Sequence, residues 1–227
     1  MVEQLLSFGL TRQEATIYTS LLSEGELTGY EAAKITGISR SNTYGALAGL
    51  VEKGAAYMIE STVTKYTPVK LEEFCNNKLR SLEKVKQEVL LKLPEKRPEI
   101  NGYITIKGEH HIIDKMQNML LKAEERIYIS VSDKTLKIVR NELRQSIEKG
   151  IKLVVITNEP FELEGAKAYY TNKTDHQIRL IVDSKKVLTG DISHQEDSTC
   201  LYSRNKNLVD VFKEMLQNEI RLAELKE

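Results

Sequence analysis

The sequence predicts an α+β protein in which a small helical domain closed by a β-hairpin is followed by a connecting helix and an α/β domain with a mixed sheet. Three observations lead to this prediction. Capped helix starts follow one another closely within the first 54 residues, and two β runs come directly after them. Residues 71–93 contain neither proline nor glycine. Beyond Pro98, apolar runs of strand length alternate with amphipathic runs of helix length.

The first domain, residues 1–70, has three helix starts that can be recognised by their capping residues. Thr-x-x-Glu capping boxes lie at 11–14 and 28–31, and Ser39 begins a third helix after a turn at Gly37. Gly54 then ends the helical part, and β runs at 55–59 and 63–69 flank a polar turn. The apolar positions expected to form one core are Ile17, Leu21, Leu22, Ala32, Ile35, Leu47, Leu50 and Val51.

The third helix carries polar side chains on the face that this core leaves free. Arginine can bind guanine and asparagine can bind adenine, each with two hydrogen bonds, while serine and helix-terminal amides suit phosphate. The order helix, helix, turn, helix, hairpin therefore predicts a winged helix-turn-helix that binds double-stranded DNA. The predicted DNA-binding residues are Thr28, Ser39, Arg40, Ser41, Asn42, Tyr44 and Lys65. Core packing of Tyr44, a buried structural Arg40, and a winged fold that binds only proteins remain alternatives.

Overall charge gives no support to a nucleic-acid partner. The formal net charge is +0, and residues 1–70 hold six basic and seven acidic side chains, so any DNA-binding charge must be sorted by face. Cys75 and Cys200 fit neither a disulfide framework nor a zinc site. No apolar run approaches the roughly 18 residues of a membrane span. We therefore expect a cytoplasmic protein without a metal or cofactor.

The second segment, residues 71–97, is predicted to be a coiled-coil-like connecting helix with its linker, bounded by Pro68 and by the PEKRP run at 94–98. The apolar stripe follows a 4-3 spacing that only Lys86 breaks. We expect this stripe to pair with a second copy in a homodimer, although it could instead pack on its own domain. The predicted dimerisation residues are Cys75, Leu79, Leu82, Val89 and Leu93.

The third segment, residues 98–227, is predicted to be an α/β domain. Predicted helices lie at 109–123, 136–149 and 208–225, and predicted strands lie at 126–131, 151–157, 166–170, 178–182 and 199–202.

The first third of the chain resembles the TrmB-like transcription regulators. The phrases FGLTRQEATIYTSLL, YEAAKITGISRSNTYGALAGLVEKG and KYTPV, within 8–69, carry the resemblance. It implies a winged helix, a dimerising helix and an effector domain similar to half of a phospholipase D unit. Members with known ligands often bind sugars. Longer members carry a further sugar-binding portion beyond the point where this sequence stops, so we expect an unidentified effector rather than a specific sugar.

A phospholipase D-like domain raises the question of catalysis. Such active sites need His-x-Lys-x4-Asp followed by Gly-Ser, with a histidine nucleophile and a lysine that stabilises phosphate charge. In HQIRLIVDSKKVLTGD, at 176–191, His176 and Asp183 match, but Ile178 replaces the lysine. Arg179 should point to the opposite face of the strand. We therefore expect no catalytic residues, although a phosphodiesterase or nuclease remains the alternative enzyme.

His176 could be a hydrogen-bonded histidine at a strand start, part of a remnant ligand pocket, or a catalytic residue. A remnant pocket should lie where strand ends meet loops. The candidate effector-binding residues are Ser130, Ser132, Asp133, Thr157, Asn158, His176 and Asp183. Serine and threonine after a strand are most often turn or cap residues.

Overall fold

The computed structural model describes residues 1–93, 102–172, 175–193 and 198–225. The chain divides into two compact units, Met1–Lys96 and Arg97–Glu227. The boundary predicted at 94–98 lies outside the described residues. Within the described part, no helix combines the length and apolar character that crossing a membrane requires.

The first unit is a winged helix-turn-helix followed by a long helix. The three strands form a small antiparallel sheet in the order β1-β3-β2. The elements in chain order are α1 (Val2–Ser7), α2 (Arg12–Glu24), β1 (Leu27–Thr28), α3 (Gly29–Thr36), α4 (Arg40–Glu52), β2 (Ala56–Ile59), β3 (Lys65–Pro68) and α5 (Leu71–Lys92).

The predicted helix starts are confirmed. Reciprocal capping boxes begin α2 and α3, and the hydroxyl of Ser39 accepts from the amide of Asn42 at the start of α4. Helix α1 was not predicted, because its six residues lack a side-chain cap. The second wing strand begins at Lys65 rather than at 63, since the hydroxyl of Ser61 donates to the carbonyl of Val63 and extends the turn.

The core of the first unit includes most of the predicted apolar positions and the first turn of α5. Phe74, on α5, packs against the ring of Tyr18, with ring centroids 5.5 Å apart. The Tyr18 hydroxyl donates to the carbonyl of Val69 at 2.8 Å. Ile35 was wrongly placed in this core: it is 50% exposed, because the short α3 packs through Ala32 and Ala33 instead.

The second unit contains a seven-stranded mixed sheet in the order β4-β10-β9-β8-β5-β6-β7. Strands β5, β6 and β7 are parallel to one another, and the remaining pairs are antiparallel. The elements are β4 (Tyr103–Lys107), α6 (Glu109–Leu121), β5 (Arg126–Ser130), α7 (Asp133–Ile138), α8 (Arg140–Glu148), β6 (Lys152–Thr157), β7 (Ala166–Tyr170), β8 (Gln177–Val182), β9 (Lys186–Asp191), β10 (Thr199–Ser203) and α9 (Lys206–Glu224).

The two faces of this sheet bury different helices. One face packs on α6, α7 and α8 and the other on α9. The helix predicted at 136–149 is two helices that meet at Val139, and the first begins earlier because Ser132 caps it. Strands β4 and β9 were not predicted. The β8–β9 turn uses Asp183 and Ser184, both at φ 54°, without the Asn-Gly or Asp-Gly signal typical of such turns.

Candidate nucleic-acid interface and the second-unit cleft

The N-terminal turn of α4 presents its polar side chains to solvent. Arg40, Ser41 and Asn42 are exposed, and Tyr44 is 51% exposed. The guanidinium of Arg40 lies 4.7 Å from the ring centroid of Tyr30, on α3. The Tyr44 ring lies against Gly29, where a Cβ atom would overlap it. Neither Arg40 nor Tyr44 is a buried structural residue, and both stay available to a partner.

The N-terminus of α4 differs electrostatically from those of its neighbours. Glu14 and Glu31 place a carboxylate in the first turn of α2 and α3, whereas the first turn of α4 carries no acid. The partial positive charge of a helix N-terminus attracts anions, and its free amides can bind phosphate oxygens. Beside Arg40, this end of α4 is therefore suited to the DNA backbone.

The other two predicted contacts belong to the same surface. Thr28 and Lys65 face each other across the β1–β3 pair, and Thr28 directly precedes the Gly29 that contacts Tyr44. The Lys65 ammonium lies 3.7 Å from Glu26 in an exposed ion pair. The Thr28 hydroxyl already donates to the carboxylate of Glu31 and accepts from its amide. The predicted capping role of Thr28 is thus confirmed, and its contact with DNA stays a prediction.

An ion pair between a buried carboxylate and a partly exposed lysine joins α4 to α2. The carboxylate of Glu14, 6% exposed, accepts from the Thr11 amide and from the Lys53 ammonium, both at 2.6 Å. Burial alone would raise the pKa of Glu14, but its bonds to Lys53 and Thr11 outweigh this effect, so the pKa is lowered. Gly49 leaves room for this carboxylate, since a Cβ there would overlap it. The sequence analysis recognised Glu14 as a cap but missed this second role.

In the second unit, five of the seven candidate effector residues gather near the carboxyl ends of β5 and β6 and the start of β8. Ser132 caps α7 and donates to the carbonyl of Asp175, and the Asp133 amide donates to the side chain of Asn158. Beside them lies an open cleft of about 530 Å³. Its lining residues are Asp133, Lys134, Lys137, Arg140, Asn158, Glu159, Pro160, Phe161 and Asp175.

The cations of this cleft have partners within the protein. Lys134 pairs with Asp175, and Lys137 pairs with Asp133 at 2.9 Å. Arg140 donates to the carbonyl of Glu162 and stacks over Phe161. Hydrogen bonding to Asp175 raises the pKa of Lys134, and hydrogen bonding from Lys137 lowers that of Asp133. The cleft therefore offers two lysine–aspartate pairs, an arginine bonded to a neutral carbonyl, a side-chain amide and one aromatic face.

Two candidate effector residues lie elsewhere. Ser130 points to the opposite face of the sheet, where its hydroxyl donates to Glu219 of α9 at 3.2 Å. Asp183 lies at the other end of β8, so its assignment to the pocket is wrong. Its carboxylate accepts from the backbone amides of Glu124, Glu125 and Arg126 and holds the start of β5. The spacing of residues in a sequence motif does not show whether they lie at the same end of a strand.

The residues that were compared with a phospholipase D-type motif contact other parts of the second unit. Ile178 is fully buried in the core of the second unit. Arg179 points to the opposite face, as expected, and lies 3.5 Å from Glu219. His176 Nδ1 donates to the carbonyl of Ile192 at 2.8 Å, the role of a hydrogen-bonded histidine at a strand start. The described residues contain no cluster of His, Cys, Asp or Glu that could hold a metal ion.

Two family models match the chain. The model described as "Sugar-specific transcriptional regulator TrmB" matches residues 5–72. The model of the N-terminal subdomain of the TrmB effector-binding domain matches residues 102–221, which is more than half of the chain. Each match covers much of one of the two compact units.

Individual relatives agree with these matches. The chain is 26% identical to the uncharacterised protein YrhO of Bacillus subtilis, over 99% of this chain and 86% of YrhO. It is 28% identical to the sugar-sensing regulator TrmBL1 of Pyrococcus furiosus, over 70% of this chain but only 47% of TrmBL1. The solved structure of TrmBL2, an archaeal chromatin protein, shares the fold with a TM-score of 0.50 at 22% identity, over 98% of this chain and 97% of that one.

Proposed function

Because this chain belongs to the TrmB family of transcriptional regulators, we propose that it reads its operator with the N-terminal turn of α4, as a homodimer under the control of a small effector. The chain is a DNA-binding transcription regulator. The exposure of Arg40, Asn42, Tyr44 and Lys65 supports the proposed reading face. We place its action in the cytoplasm, in contact with the DNA it regulates.

Selection of bound sequences from a random DNA library tests this assignment. We expect one pseudo-palindromic site whose half-sites are centred about 10 base pairs apart, because two symmetry-related helices then meet successive major-groove faces. Binding without sequence preference would contradict the assignment. Absence of DNA binding even at low salt, with copurification of a protein partner, would favour an adaptor function for the winged fold.

We assign dimerisation to the apolar stripe of α5. Leu79 and Leu82 are 56% and 51% exposed, and Leu93 is 64% exposed, so these positions are not buried against their own domain. Cys75, by contrast, is half-buried against the core of the first unit, so it contributes less to the proposed dimer contact. A 4-3 spacing of apolar residues on a long exposed helix is typical of pairing with a second helix.

Substitution of Leu82 and Val89 by glutamate should weaken dimerisation by about 100-fold or more, because each buried aliphatic side chain contributes roughly 1.5–3 kcal/mol. Sedimentation equilibrium measures the dissociation constant. The matched control is Lys84→Glu, an exposed position of α5 away from the stripe. A double variant that dimerises as tightly as Lys84→Glu would contradict this assignment.

We assign effector binding to the cleft between α7 and the loop after β6. Its two lysines are paired with aspartates, Phe161 offers an aromatic face and Asn158 supplies an amide, so a neutral polyhydroxylated ligand such as a sugar fits this chemistry. This assignment keeps Asp133 and Asn158 from the candidate set and adds Arg140 and Phe161.

Replacing Asn158 with alanine should weaken binding of a sugar in this cleft about tenfold, since the amide would no longer donate to the ligand. A panel of mono- and disaccharides is first screened by thermal shift, and the binding constant of each hit is then measured by calorimetry. Lys185→Ala, an exposed change outside the cleft, serves as the control. If Asn158→Ala and Lys185→Ala bind the sugar equally well, or if only His176→Ala loses binding, the effector site lies outside this cleft.

We propose that the second unit is not catalytic. The buried Ile178 supplies no positive charge for a phosphoryl group, and a group in such a role contributes about 3 kcal/mol or more to transition-state stabilisation. Metal-independent hydrolysis of a phosphodiester that His176→Ala abolishes would overturn this proposal.

A further inference from the structure

Arg40 is held by an aromatic ring rather than by an acid. Its guanidinium lies 4.7 Å from the centroid of Tyr30, which belongs to a different helix and is 53% exposed. Other cations of the first unit pair with carboxylates, as Lys53 does with Glu14 and Lys65 with Glu26. Among the residues that the structure describes, no carboxylate or carbonyl group pairs with Arg40.

This difference matters for recognition. A carboxylate partner would occupy the N–H edge of the guanidinium and cancel its charge. An aromatic ring contacts the flat face instead, which leaves the N–H edge and the charge available to a guanine or a phosphate. The ring also restricts a long side chain that would otherwise lose much rotamer freedom when it binds. Stacking thus orients Arg40 without neutralising it.

We propose that Tyr30 is a positioning residue for DNA reading, whose ring holds Arg40 in the orientation that recognises one base pair of the operator. This inference rests on the proposed function of α4. Tyr30 acts through Arg40 and not through a contact of its own with the DNA. The contact with Arg40 is made by the face of the Tyr30 ring, so the phenolic hydroxyl is not needed for it.

The first turn of α3 fixes the position of Tyr30. Thr28 and Glu31 fix the first turn of α3 through a reciprocal capping box. Gly29 allows the Tyr44 ring of α4 to lie directly against that turn. Tyr30 follows immediately and is thereby fixed relative to the start of α4, where Arg40 lies. The capping box, the contact between Gly29 and Tyr44 and the stacking on Tyr30 together fix the position of the Arg40 guanidinium.

The test compares Tyr30→Leu, Tyr30→Phe, Arg40→Ala and the Tyr30→Leu/Arg40→Ala double variant, all in the full-length protein. Affinity is measured for the selected operator and for operators changed at each base pair. Tyr30→Leu should lower operator affinity about fivefold to thirtyfold, the range of a cation–π contact in a partly desolvated site. It should also lose discrimination at the base pair where Arg40→Ala loses it. Tyr30→Phe should restore both properties.

In the double variant, Tyr30→Leu should cost nothing beyond the loss that Arg40→Ala causes. Tyr103→Leu, a change of an equally exposed tyrosine in the second unit, controls for a general effect of losing a tyrosine. The melting temperatures of all variants should match that of the unmodified protein, because the substituted side chains are exposed.

Three results would overturn the inference. Normal binding by Tyr30→Leu together with weak binding by Arg40→Ala would refute the positioning role of Tyr30. The proposal that α4 reads DNA would still stand. A full Tyr30→Leu effect in the absence of Arg40, or no rescue by phenylalanine, would mean that Tyr30 contacts DNA itself. Normal binding by Arg40→Ala would refute both the inference and the proposed reading face.

Discussion

Replacing Arg40 and Asn42 together with alanine is expected to abolish sequence-specific DNA binding while weak, non-specific binding remains. Each residue can form two hydrogen bonds with a base edge, and each such pair discriminates by about 1–3 kcal/mol. The double variant should therefore lose about 2–6 kcal/mol of discrimination for each half-site. Gel-shift titrations against operator and scrambled DNA at one salt concentration measure this difference.

The matched control for this variant is Asn76→Ala with Arg80→Ala, which removes the same two residue types from exposed positions of α5. The control should bind the operator like the unmodified protein. Unchanged preference for the operator in the Arg40 and Asn42 variant would refute the assignment of α4 as the recognition helix. An equal loss in both variants would point to a general charge effect.

Replacing Asp183 with alanine is expected to destabilise the second unit by about 3 kcal/mol or more. The carboxylate is 4% exposed and accepts from three backbone amides at 2.8 to 3.1 Å. Each buried donor left without a partner costs about 1–3 kcal/mol. Asp183→Asn, which keeps one carbonyl acceptor and tolerates the positive φ, should lose less.

The same contacts predict a dependence on pH. Burial would raise the pKa of Asp183, but the amides of Glu125, Arg126 and Glu124 outweigh it and leave the pKa below its usual range. A carboxyl whose pKa is lowered on folding contributes stability above its unfolded pKa, near 4, and loses it as the pH falls through the folded value. The contribution should therefore disappear in acid.

Denaturant unfolding of both variants at pH 7 and pH 3 measures these effects, with hydrogen exchange of the amides at 124–126 as a local probe. The gap between the unmodified protein and Asp183→Asn should narrow at pH 3. A gap that is the same at both values would show that the Asp183 carboxylate contributes no charge-dependent stability.

Local signals predicted most of the fold. Capping boxes and Ser39 located three helices, the resemblance to the TrmB-like family is confirmed, and the predicted mixed sheet is present. Elements without such signals were missed, as with α1, which has no side-chain cap, and β9, which follows an Asp-Ser turn. Ile35 was misplaced because hydrophobicity alone does not reveal which side of a short helix meets the core.

The candidate sites were predictable only where one element carries them. The polar turn of α4 is contiguous in sequence, so Arg40 and Asn42 could be predicted together as one exposed group, and their contact with DNA stays a prediction. The stacking of Tyr30 joins two helices, and the bond from Lys53 to Glu14 spans 39 residues, so neither leaves a local pattern. Asp183 matched a motif by spacing, yet only tertiary structure showed that it lies far along β8 from His176.

The buried carboxylate of Glu14 has a consequence for signalling. One side chain bonds the residue before α2 and the residue after α4, so a shift of α4 relative to α2 would leave the buried Glu14 carboxylate without its Lys53 partner. Each winged-helix domain should therefore move as a rigid body. In the homodimer that we propose, an effector would then act by changing the distance and angle between the two winged-helix domains. Affinity for a single isolated half-site should stay constant while affinity for the paired site varies.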